Sequence, residues 1–430
     1  MPGRDLAARR TGAAARDEVS SPGRRGAPAR HLRVVRPRRR PDASALARTD
    51  LRMLWGSAAF LTIVGLVMVL SAGSVSAAQG YDGNSFWYFQ RQVLYAAFGC
   101  GVAVLTYRMR PAAWRALCVP MLGVTSILMF IAAHPGAGTS VYGASRWIDL
   151  GPVTLQPSEF AKLGLVAFTS TILDRKWRRL HHVGHLFLPL GPVVMGVAWL
   201  GVMQRDLGTT LILCGTVFLM LFIAGVRLRY LMIVGALGLA TTTWLIVGEA
   251  YRRSRFFDAW LDPWADPERT GYQLIQGLIA FGSGGWFGTG LGTGRAKWDF
   301  LPNAHSDFIF AVIGEELGLL GAFIVLVAFG VFIAAGVRIA LHAPTTFERL
   351  LAGGVVSWIG LQALINLGAV TGLLPITGVP LPLVSFGGTA LVVTLAGVGV
   401  LASIARSSAR RDPSRAVAHD AASARVAPPS

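Results

Sequence analysis

The sequence predicts an all-α polytopic membrane protein with about ten transmembrane helices, and three observations support this prediction. Hydrophobic residues make up 53% of the 430 residues and charged residues only 14%, whereas soluble domains carry about 25% charged residues. Apolar stretches long enough to cross about 30 Å of hydrocarbon recur along the chain. Basic residues concentrate in alternate connections between these stretches, as topology signals do.

Ten apolar stretches are the predicted spans. Most of them have roughly the 20 residues that a transmembrane helix needs, although the fourth is short and opens at a proline. The spans are 54–72, 90–107, 116–134, 158–173, 185–203, 207–226, 229–248, 307–339, 349–371 and 386–405. An even number of spans places both chain termini on one side of the membrane.

The basic residues decide the orientation of this array. With a cytoplasmic N-terminus, 30 of the 40 lysines and arginines fall on the cytoplasmic side and 10 fall outside. This asymmetry follows the positive-inside rule, so both termini are expected to be cytoplasmic. The net charge of +18 is then explained by topology signals, and no nucleic-acid partner is expected.

Three regions follow from this threading. Residues 1–53 hold 14 of the lysines and arginines among many Ala, Pro and Gly residues, a composition typical of a disordered tail. Residues 54–406 form the predicted membrane domain, and 407–430 form a second disordered cytoplasmic tail. The large extracytoplasmic loop 249–306 joins spans seven and eight, and a loop of this length is usually functional.

The large outer loop begins with three arginines and contains a glycine-rich run. Arg252, Arg253 and Arg255 either contact lipid headgroups or bind a phosphate or pyrophosphate, which arginine holds through paired donors. The run 282–294 lacks the Gly-Lys-Ser/Thr ending of a nucleotide-binding loop, and no strand precedes it. Close backbone packing explains its glycines better, so no nucleotide cofactor is expected.

Asp307 closes this loop where span eight begins. Its carboxylate either caps the helix N-terminus, or accepts a proton from an attacking hydroxyl, or holds a divalent cation (Mg or Mn) near phosphates. Glu315 and Glu316 lie deeper in the same span, and a structural role is favoured for both because carboxylates inside a membrane need partners.

A second group of polar residues surrounds span four. Glu159 and Lys162 are three residues apart and can touch on one helix face, so they form either an ion pair that fixes helix packing or a part of the substrate site. Asp206 opens span six, either as its N-cap or as a site residue, and Arg146 precedes span four on the same side. The apolar segment 372–388 is full of helix breakers, which favours a re-entrant segment buried by protein.

Mixed charges at the outer membrane face indicate a lipid with a polar, phosphorylated headgroup as the substrate. The residues by themselves do not name a reaction. Four blocks nevertheless resemble the SEDS family (shape, elongation, division and sporulation), in family order over about residues 55–405. The blocks are Ser145 to Lys162, Gln204 to Gly208, Gly271 to Gly318, and Gly372 to Gly388.

The resemblance implies a ten-span peptidoglycan glycosyltransferase that polymerises lipid II outside the cytoplasmic membrane. It implies a polyprenyl-pyrophosphate-linked glycan strand as the second substrate and a class B penicillin-binding transpeptidase as the partner. The family's essential aspartate falls on Asp307, its Glu–Lys pair on Glu159 and Lys162, and a further aspartate on Asp206. Candidates for substrate or pyrophosphate binding are Arg146, Glu159, Lys162, Asp206, Arg252, Arg253, Arg255, Tyr272, Gln273 and His305.

The block 297–305 looks more like the division members of the family than the elongation members, which implies enrichment at the septum and contacts with other division proteins. The basic N-terminal tail is similar to those of actinobacterial versions. Gly277 and Phe386 depart from the residues that are frequent at those positions, so division and elongation both stay open. Two other functions stay open as well: a lipid II flippase, which the outward clustering of charges disfavours, and a non-catalytic scaffold for the transpeptidase.

Overall fold

The computed structural model describes residues 43–134, 139–141, 144–149, 151, 153–179 and 183–410, apart from some side chains near the gaps and in the large loop. Most of both predicted tails, residues 1–42 and 411–430, lies outside the described residues. In chain order the helices are α1 Ala43–Gly80, α2 Trp87–Arg108, α3 Ala113–Ala133, α4 Pro157–Arg175, α5 Val183–Met203, α6 Leu207–Ile223, α7 Leu228–Val247, α8 Ala250–Phe256, α9 Tyr272–Ser283, α10 Ile309–Leu341, α11 Thr346–Val370 and α12 Gly388–Arg410.

Each predicted span overlaps one helix of the described chain, of which α10 is interrupted at a glycine, and the two shorter helices α8 and α9 lie in the large loop. By length and composition alone, six of the described helices could cross a membrane, namely α1, α3, α7, α10, α11 and α12. Helices α5 and α6 are apolar but shorter. The predicted helical membrane fold is therefore confirmed, whereas the number of spans and the side of the termini stay predictions.

Helix α1 begins about three turns before the predicted first span. Residues 43–53, assigned above to the disordered tail, are helical in the structure. The physical reason is an ion pair: the buried carboxylate of Asp50 lies 2.7 Å from Nε of Arg338 on α10. A charged residue in this stretch thus fixes the start of α1 against a neighbouring helix.

A small antiparallel sheet lies in the loop between α3 and α4, which the sequence did not predict. Its strands are β1 Thr139–Val141, β2 Ala144–Asp149 and β3 Thr154–Leu155, in the order β1-β2-β3. The hydroxyl of Thr389 on α12 donates to the Thr154 carbonyl (3.2 Å) and accepts from the backbone N–H of Gln156 (3.2 Å). These bonds hold the sheet over one end of the helix bundle.

The core of the bundle contains α12, whose residues 388–405 are all buried. Small residues allow its close approach to α2: a Cβ on Gly399 would collide with the Ala103 carbonyl, and the Thr106 hydroxyl bonds the Ala396 carbonyl at 3.1 Å. This is the packing that membrane helices use in place of a hydrophobic driving force. Helix α7 differs, because most of its residues are exposed and only Leu231 is buried.

Helix α10 is broken at Gly318, where φ is 69° and ψ is −172°, so the predicted eighth span is not one continuous helix. The glycine-rich run crosses the break and replaces the lost helical hydrogen bonds. The N–H groups of Thr289 and Gly290 donate to the carbonyls of Glu315 (2.9 Å) and Glu316 (3.1 Å). In return, Leu319 N–H donates to the Gly285 carbonyl (2.9 Å) and Leu320 N–H to the Trp286 carbonyl (3.2 Å).

Close backbone contact, which the sequence predicted for this run, explains two of its glycines. A Cβ on Gly284 or Gly288 would lie far closer to a carbonyl oxygen of α10 than van der Waals contact allows. The two carboxylates beside the break have protein partners. Glu315 accepts from the N–H of Arg295 (2.7 Å), and Glu316 accepts from the Ser71 hydroxyl on α1 (2.7 Å). These contacts fit the structural role favoured for both glutamates.

Candidate functional site

An irregular segment between α11 and α12 forms the centre of the candidate site. Residues 376–380 adopt no regular secondary structure and are buried or half-buried. Side chains from α11 satisfy their carbonyls: Gln362 Nε2 donates to Pro380 O at 2.9 Å, and Asn366 Nδ2 donates to Val379 O at 2.7 Å. Irregular backbone at membrane depth requires such partners, so the predicted protein-buried segment is confirmed.

Asp307 lies on one side of this segment. Helix α10 begins at Ile309 with Phe308 at the N-cap position and no side-chain cap, so the N-cap role considered for Asp307 is wrong. The Asp307 carbonyl accepts from Asn366 Nδ2 at 2.8 Å. A Cβ on Gly378 would lie 3.5 Å from Asp307 Oδ2, and Gly378 has φ of 68°. The half-buried carboxylate therefore faces a position that favours glycine.

The Glu159–Lys162 pair on α4 contacts the segment indirectly, through Gln362. The Lys162 ammonium bonds Glu159 Oε1 at 2.8 Å and Gln362 Oε1 at 2.8 Å, and it lies 5.5 Å from the centre of the Trp358 ring. Both charged side chains are at most 2% exposed. Because Gln362 also bonds Pro380, the ion pair supports the central segment from within the protein.

Asp206 and Arg146 meet at the start of α6. Asp206 is the N-cap of α6 and accepts from Thr209 N–H at 3.1 Å. Arg146 Nη1 lies 3.6 Å from its carboxylate, and Arg146 Nη2 donates to the Arg205 carbonyl at 2.8 Å. The sheet thus places the side chain of Arg146 beside Asp206, the buried N-cap of α6. The N-cap role considered for Asp206 is confirmed, and a site role is compatible with it.

Three buried atoms of this cluster lack a hydrogen-bond partner among the described residues: Asp206 Oδ2, Gln204 Oε1 and Arg146 Nε. Buried polar atoms in native proteins are normally paired with protein or ordered water. Two acceptors and one donor match a water molecule or a hydroxyl group of a ligand. Each of these atoms therefore has an unused capacity for one further hydrogen bond.

The segment 377–380 brings these separate groups together. The Thr377 carbonyl packs against Gly208, two residues after Asp206. Gly378 faces Asp307, the Val379 carbonyl shares Asn366 with Asp307, and the Pro380 carbonyl is joined to Lys162 through Gln362. Four stretches that are far apart in sequence thus meet along four consecutive residues.

His305 stands beside this centre in an aromatic environment. Its ring lies 4.2 Å from the Tyr88 ring and 5.7 Å from the Phe386 ring, centre to centre, and its carbonyl accepts from Phe386 N–H at 3.0 Å. Loss of solvation lowers the pKa of the imidazole from 6.5 to about 4. The ring is neutral at pH 7, so one nitrogen can donate a hydrogen bond and the other can accept one.

The remaining predicted residues lie along the large loop. Arg252 pairs with Glu249 at 3.0 Å and points its second donor at the Leu245 carbonyl. Arg253 is exposed, and the side chain of Arg255 lies outside the described residues. Tyr272 and Gln273 open α9, where Gln273 Nε2 donates to the Pro302 carbonyl at 3.2 Å. The described contacts of Arg252 are with Glu249 and Leu245, near the start of the loop, and none of them is with the central segment.

Gln362 and Asn366 are site residues that the sequence analysis missed. They lie four residues apart on α11 and therefore on one face of an apolar helix. Polar side chains inside a membrane span are uncommon and usually face the bundle interior. That spacing was the available signal, and it predicts that both side chains face the interior of the bundle.

The described residues contain no group of three or more His, Cys, Asp or Glu that could hold a metal ion. This does not conflict with Mg²⁺, which is often bound through one or two carboxylates together with water and substrate phosphates. Asp307 fits such a shared site, because its carboxylate is half-buried and faces Gly378 of the central segment.

Fold and site together define a polytopic helical membrane protein with a polar centre buried at one end of its bundle. The family model for FtsW, RodA and SpoVE, described as cell cycle protein, matches residues 51–410. The chain therefore belongs to the FtsW/RodA/SpoVE family and is an integral membrane protein.

Two curated relatives cover most of the chain. The probable peptidoglycan glycosyltransferase FtsW of Geobacter metallireducens is 42% identical over 359 residues, which cover 84% of this chain and 95% of the relative. Stage V sporulation protein E of Bacillus subtilis is 38% identical over 348 residues, which cover 81% of this chain and 94% of that protein.

Two solved structures share the fold. One was described under the heading of structural coordination of polymerization and crosslinking by a peptidoglycan synthase complex. It matches with a TM-score of 0.67 and 29% identity over 83% of this chain and 97% of the other. The rod shape determining protein RodA of Thermus thermophilus matches with a TM-score of 0.61 and 27% identity, over 83% and 96% of the two chains.

Proposed function

We propose that the protein is a peptidoglycan glycosyltransferase that polymerises lipid II into glycan strands on the outer face of the cytoplasmic membrane. The observation that carries this proposal is the meeting of Asp307, Asn366, Gln362–Lys162 and the Asp206 cap along residues 377–380. The names of the curated relatives, which include probable peptidoglycan glycosyltransferases, support the same reaction.

In the proposed reaction Asp307 accepts the proton of the C4 hydroxyl of lipid II. The freed oxygen attacks C1 of the terminal sugar of the growing strand, and the bond between C1 and the polyprenyl pyrophosphate breaks. The electron pair of that bond leaves with the pyrophosphate, where negative charge develops. Preorganised cations stabilise such charge, and Arg252, Arg253 and Arg255 are the proposed source on this chain.

The other groups position the reactants. Asn366 fixes the backbone of Asp307, and the Lys162–Gln362 contact fixes the segment opposite its carboxylate. The unpaired atoms around Asp206 would receive a sugar hydroxyl or a water molecule. Alternatively, Asp307 would hold a divalent cation that neutralises pyrophosphate charge, and Asp307 would then activate the hydroxyl through the cation instead of accepting its proton directly. We expect no nucleotide to be needed, because the pyrophosphate ester carries the driving force.

A class B penicillin-binding transpeptidase is the proposed partner. The similar solved assembly couples polymerization and crosslinking according to its description, and polymerised strands need crosslinking to form a wall. We further propose septal synthesis during cell division, with enrichment at the septum and contacts with other division proteins. The relatives named FtsW support this assignment.

The test is polymerisation of purified lipid II by the full-length protein reconstituted with its transpeptidase partner. Wild type is compared with Asp307→Asn, which keeps the size of the side chain, and with Glu268→Gln, which removes an exposed carboxylate of the same loop. Glycan products are separated on a gel. We expect polymer from wild type and Glu268→Gln and none from Asp307→Asn.

Equal polymer from all three proteins would remove Asp307 from the chemistry. Absence of polymer from folded, partner-bound wild type would contradict the polymerase assignment. A parallel measurement of lipid II transfer across vesicle membranes separates the flippase, which predicts transfer that survives Asp307→Asn. A scaffold predicts growth of cells that carry only the Asp307→Asn protein.

A further inference from the structure

The break in α10 places part of the large loop at the level of a membrane boundary. We call residues 285–291 the strap, because their backbone crosses α10 at Gly318 and bonds residues on both sides of it. After the break, residues 319–341 form about 35 Å of helix at 1.5 Å per residue. That length covers the ~30 Å of hydrocarbon without the residues before the break.

Two side-chain contacts between α1 and α10 place the break in α10 at the same height relative to the membrane. Asp50 bonds Arg338 at one end of the pair, and Ser71 bonds Glu316 at the other. About 32 Å of helix separates the two contacts along either chain segment. Because this is close to the hydrocarbon thickness, Glu316 and the strap bonded to it lie at the boundary opposite Asp50.

The strap presents large apolar side chains at this level. Trp286 is 72% exposed, Phe287 is 83% exposed and Leu291 is 57% exposed. Leu319 and Leu320, which the strap bonds directly, are exposed too and begin the outward face of the spanning half of α10. The apolar surface of the strap thus continues the surface that α10 turns to lipid.

We propose that the strap inserts Trp286 and Phe287 into the outer leaflet of the bilayer and anchors the broken helix to the membrane surface. The occupant of this apolar surface is phospholipid. Aromatic side chains are enriched at the membrane–water boundary, where their rings settle among headgroups. Backbone hydrogen bonds hold the strap against α10, and the side chains of Trp286 and Phe287 are exposed. This inference concerns insertion depth and does not depend on the proposed reaction.

The experiment measures the depth of nitroxide labels on the full chain in lipid nanodiscs. Cys100, Cys118 and Cys214 are first replaced by alanine, and a single cysteine then carries the label at Phe287 or, separately, at Leu291. Collision rates are recorded with oxygen, which concentrates in lipid, and with a water-soluble nickel chelate.

Two reference labels calibrate the scale. Phe323→Cys reports the lipid-facing side of α10, and Gln79→Cys reports an exposed position about two turns beyond Ser71 on α1. We expect nickel collisions at Phe287 to be several-fold rarer than at Gln79, with oxygen collisions close to those at Phe323. The second label at Leu291 shows whether the reading at Phe287 reflects the whole strap or a local disturbance caused by one label.

Labels at Phe287 and Leu291 that collide with the nickel chelate as often as the Gln79 label would overturn the proposal. Shielding that develops only after the transpeptidase partner is added would overturn it too, because protein and not lipid would then cover the strap. Size-exclusion profiles identical to that of the unlabelled protein show that each variant is folded.

Discussion

Loss of the Lys162 ammonium would leave the Glu159 carboxylate buried without its counter-charge. The ammonium makes two bonds of 2.8 Å, to Glu159 and Gln362, in surroundings that exclude solvent. Breaking one member of a buried pair costs about 3–5 kcal/mol. We therefore expect Lys162→Met to lower the free energy of unfolding by that amount and the melting temperature by several degrees.

The double variant Glu159→Gln/Lys162→Met separates a structural role from a substrate role. With both charges gone no unpaired charge is buried, and replacement of a whole buried pair is often neutral or stabilising. Gln362 keeps its bonds to Trp358 and Pro380. We expect the melting temperature to return close to that of wild type. Recovery of lipid II polymerisation along with stability indicates packing alone, whereas a stable but inactive double variant assigns the pair to the substrate site.

The assay is thermal unfolding in detergent, followed by polymerisation at a temperature where every variant is folded. Arg115→Met is the matched control, because Arg115 pairs with Asp174 at 2.7 Å but is 42% exposed; a pair of this kind contributes about 0–1 kcal/mol. A Lys162→Met protein as stable as wild type, or no more destabilised than Arg115→Met, would refute the reasoning.

Three further predictions concern the central site and the strap. Asn366→Leu removes the donor to the Asp307 carbonyl, and an unsatisfied buried group costs about 1–3 kcal/mol. We expect a loss of polymerisation that is larger than the drop in melting temperature accounts for. Asn366→Asp also loses the donor and should behave in the same way. Gly288→Ala drives a Cβ into the α10 backbone at φ of 80°, so it should unfold the protein at lower temperature than Gly282→Ala, whose Cβ meets nothing within 4 Å. The lowered pKa of His305 means that the unfolded state binds more protons between pH 6.5 and about 4; stability should fall as pH drops through this window, and His305→Gln should flatten that part of the melting profile.

Much of the architecture was readable from composition and spacing. Long apolar stretches predict membrane helices because backbone in lipid must bond internally. Each predicted span overlaps one helix of the described chain, although α10 is broken at Gly318. The sequence also predicted close backbone packing in the glycine-rich run and a protein-buried, irregular segment within 372–388. Glycine spacing reports close backbone approach, and helix breakers in an apolar stretch report irregular backbone that protein must cover.

The tertiary structure decided which partners those segments find. Residues 376–380 have no periodic pattern, so nothing local specifies that they pack between Asp307 and the start of α6. The break at Gly318 depends on hydrogen bonds from a loop about 30 residues earlier, and Arg146 reaches Asp206 through a small sheet that the sequence did not reveal. Sequence determines helices through contacts between residues a few positions apart. The site depends on contacts between distant segments, and these form only when the bundle packs.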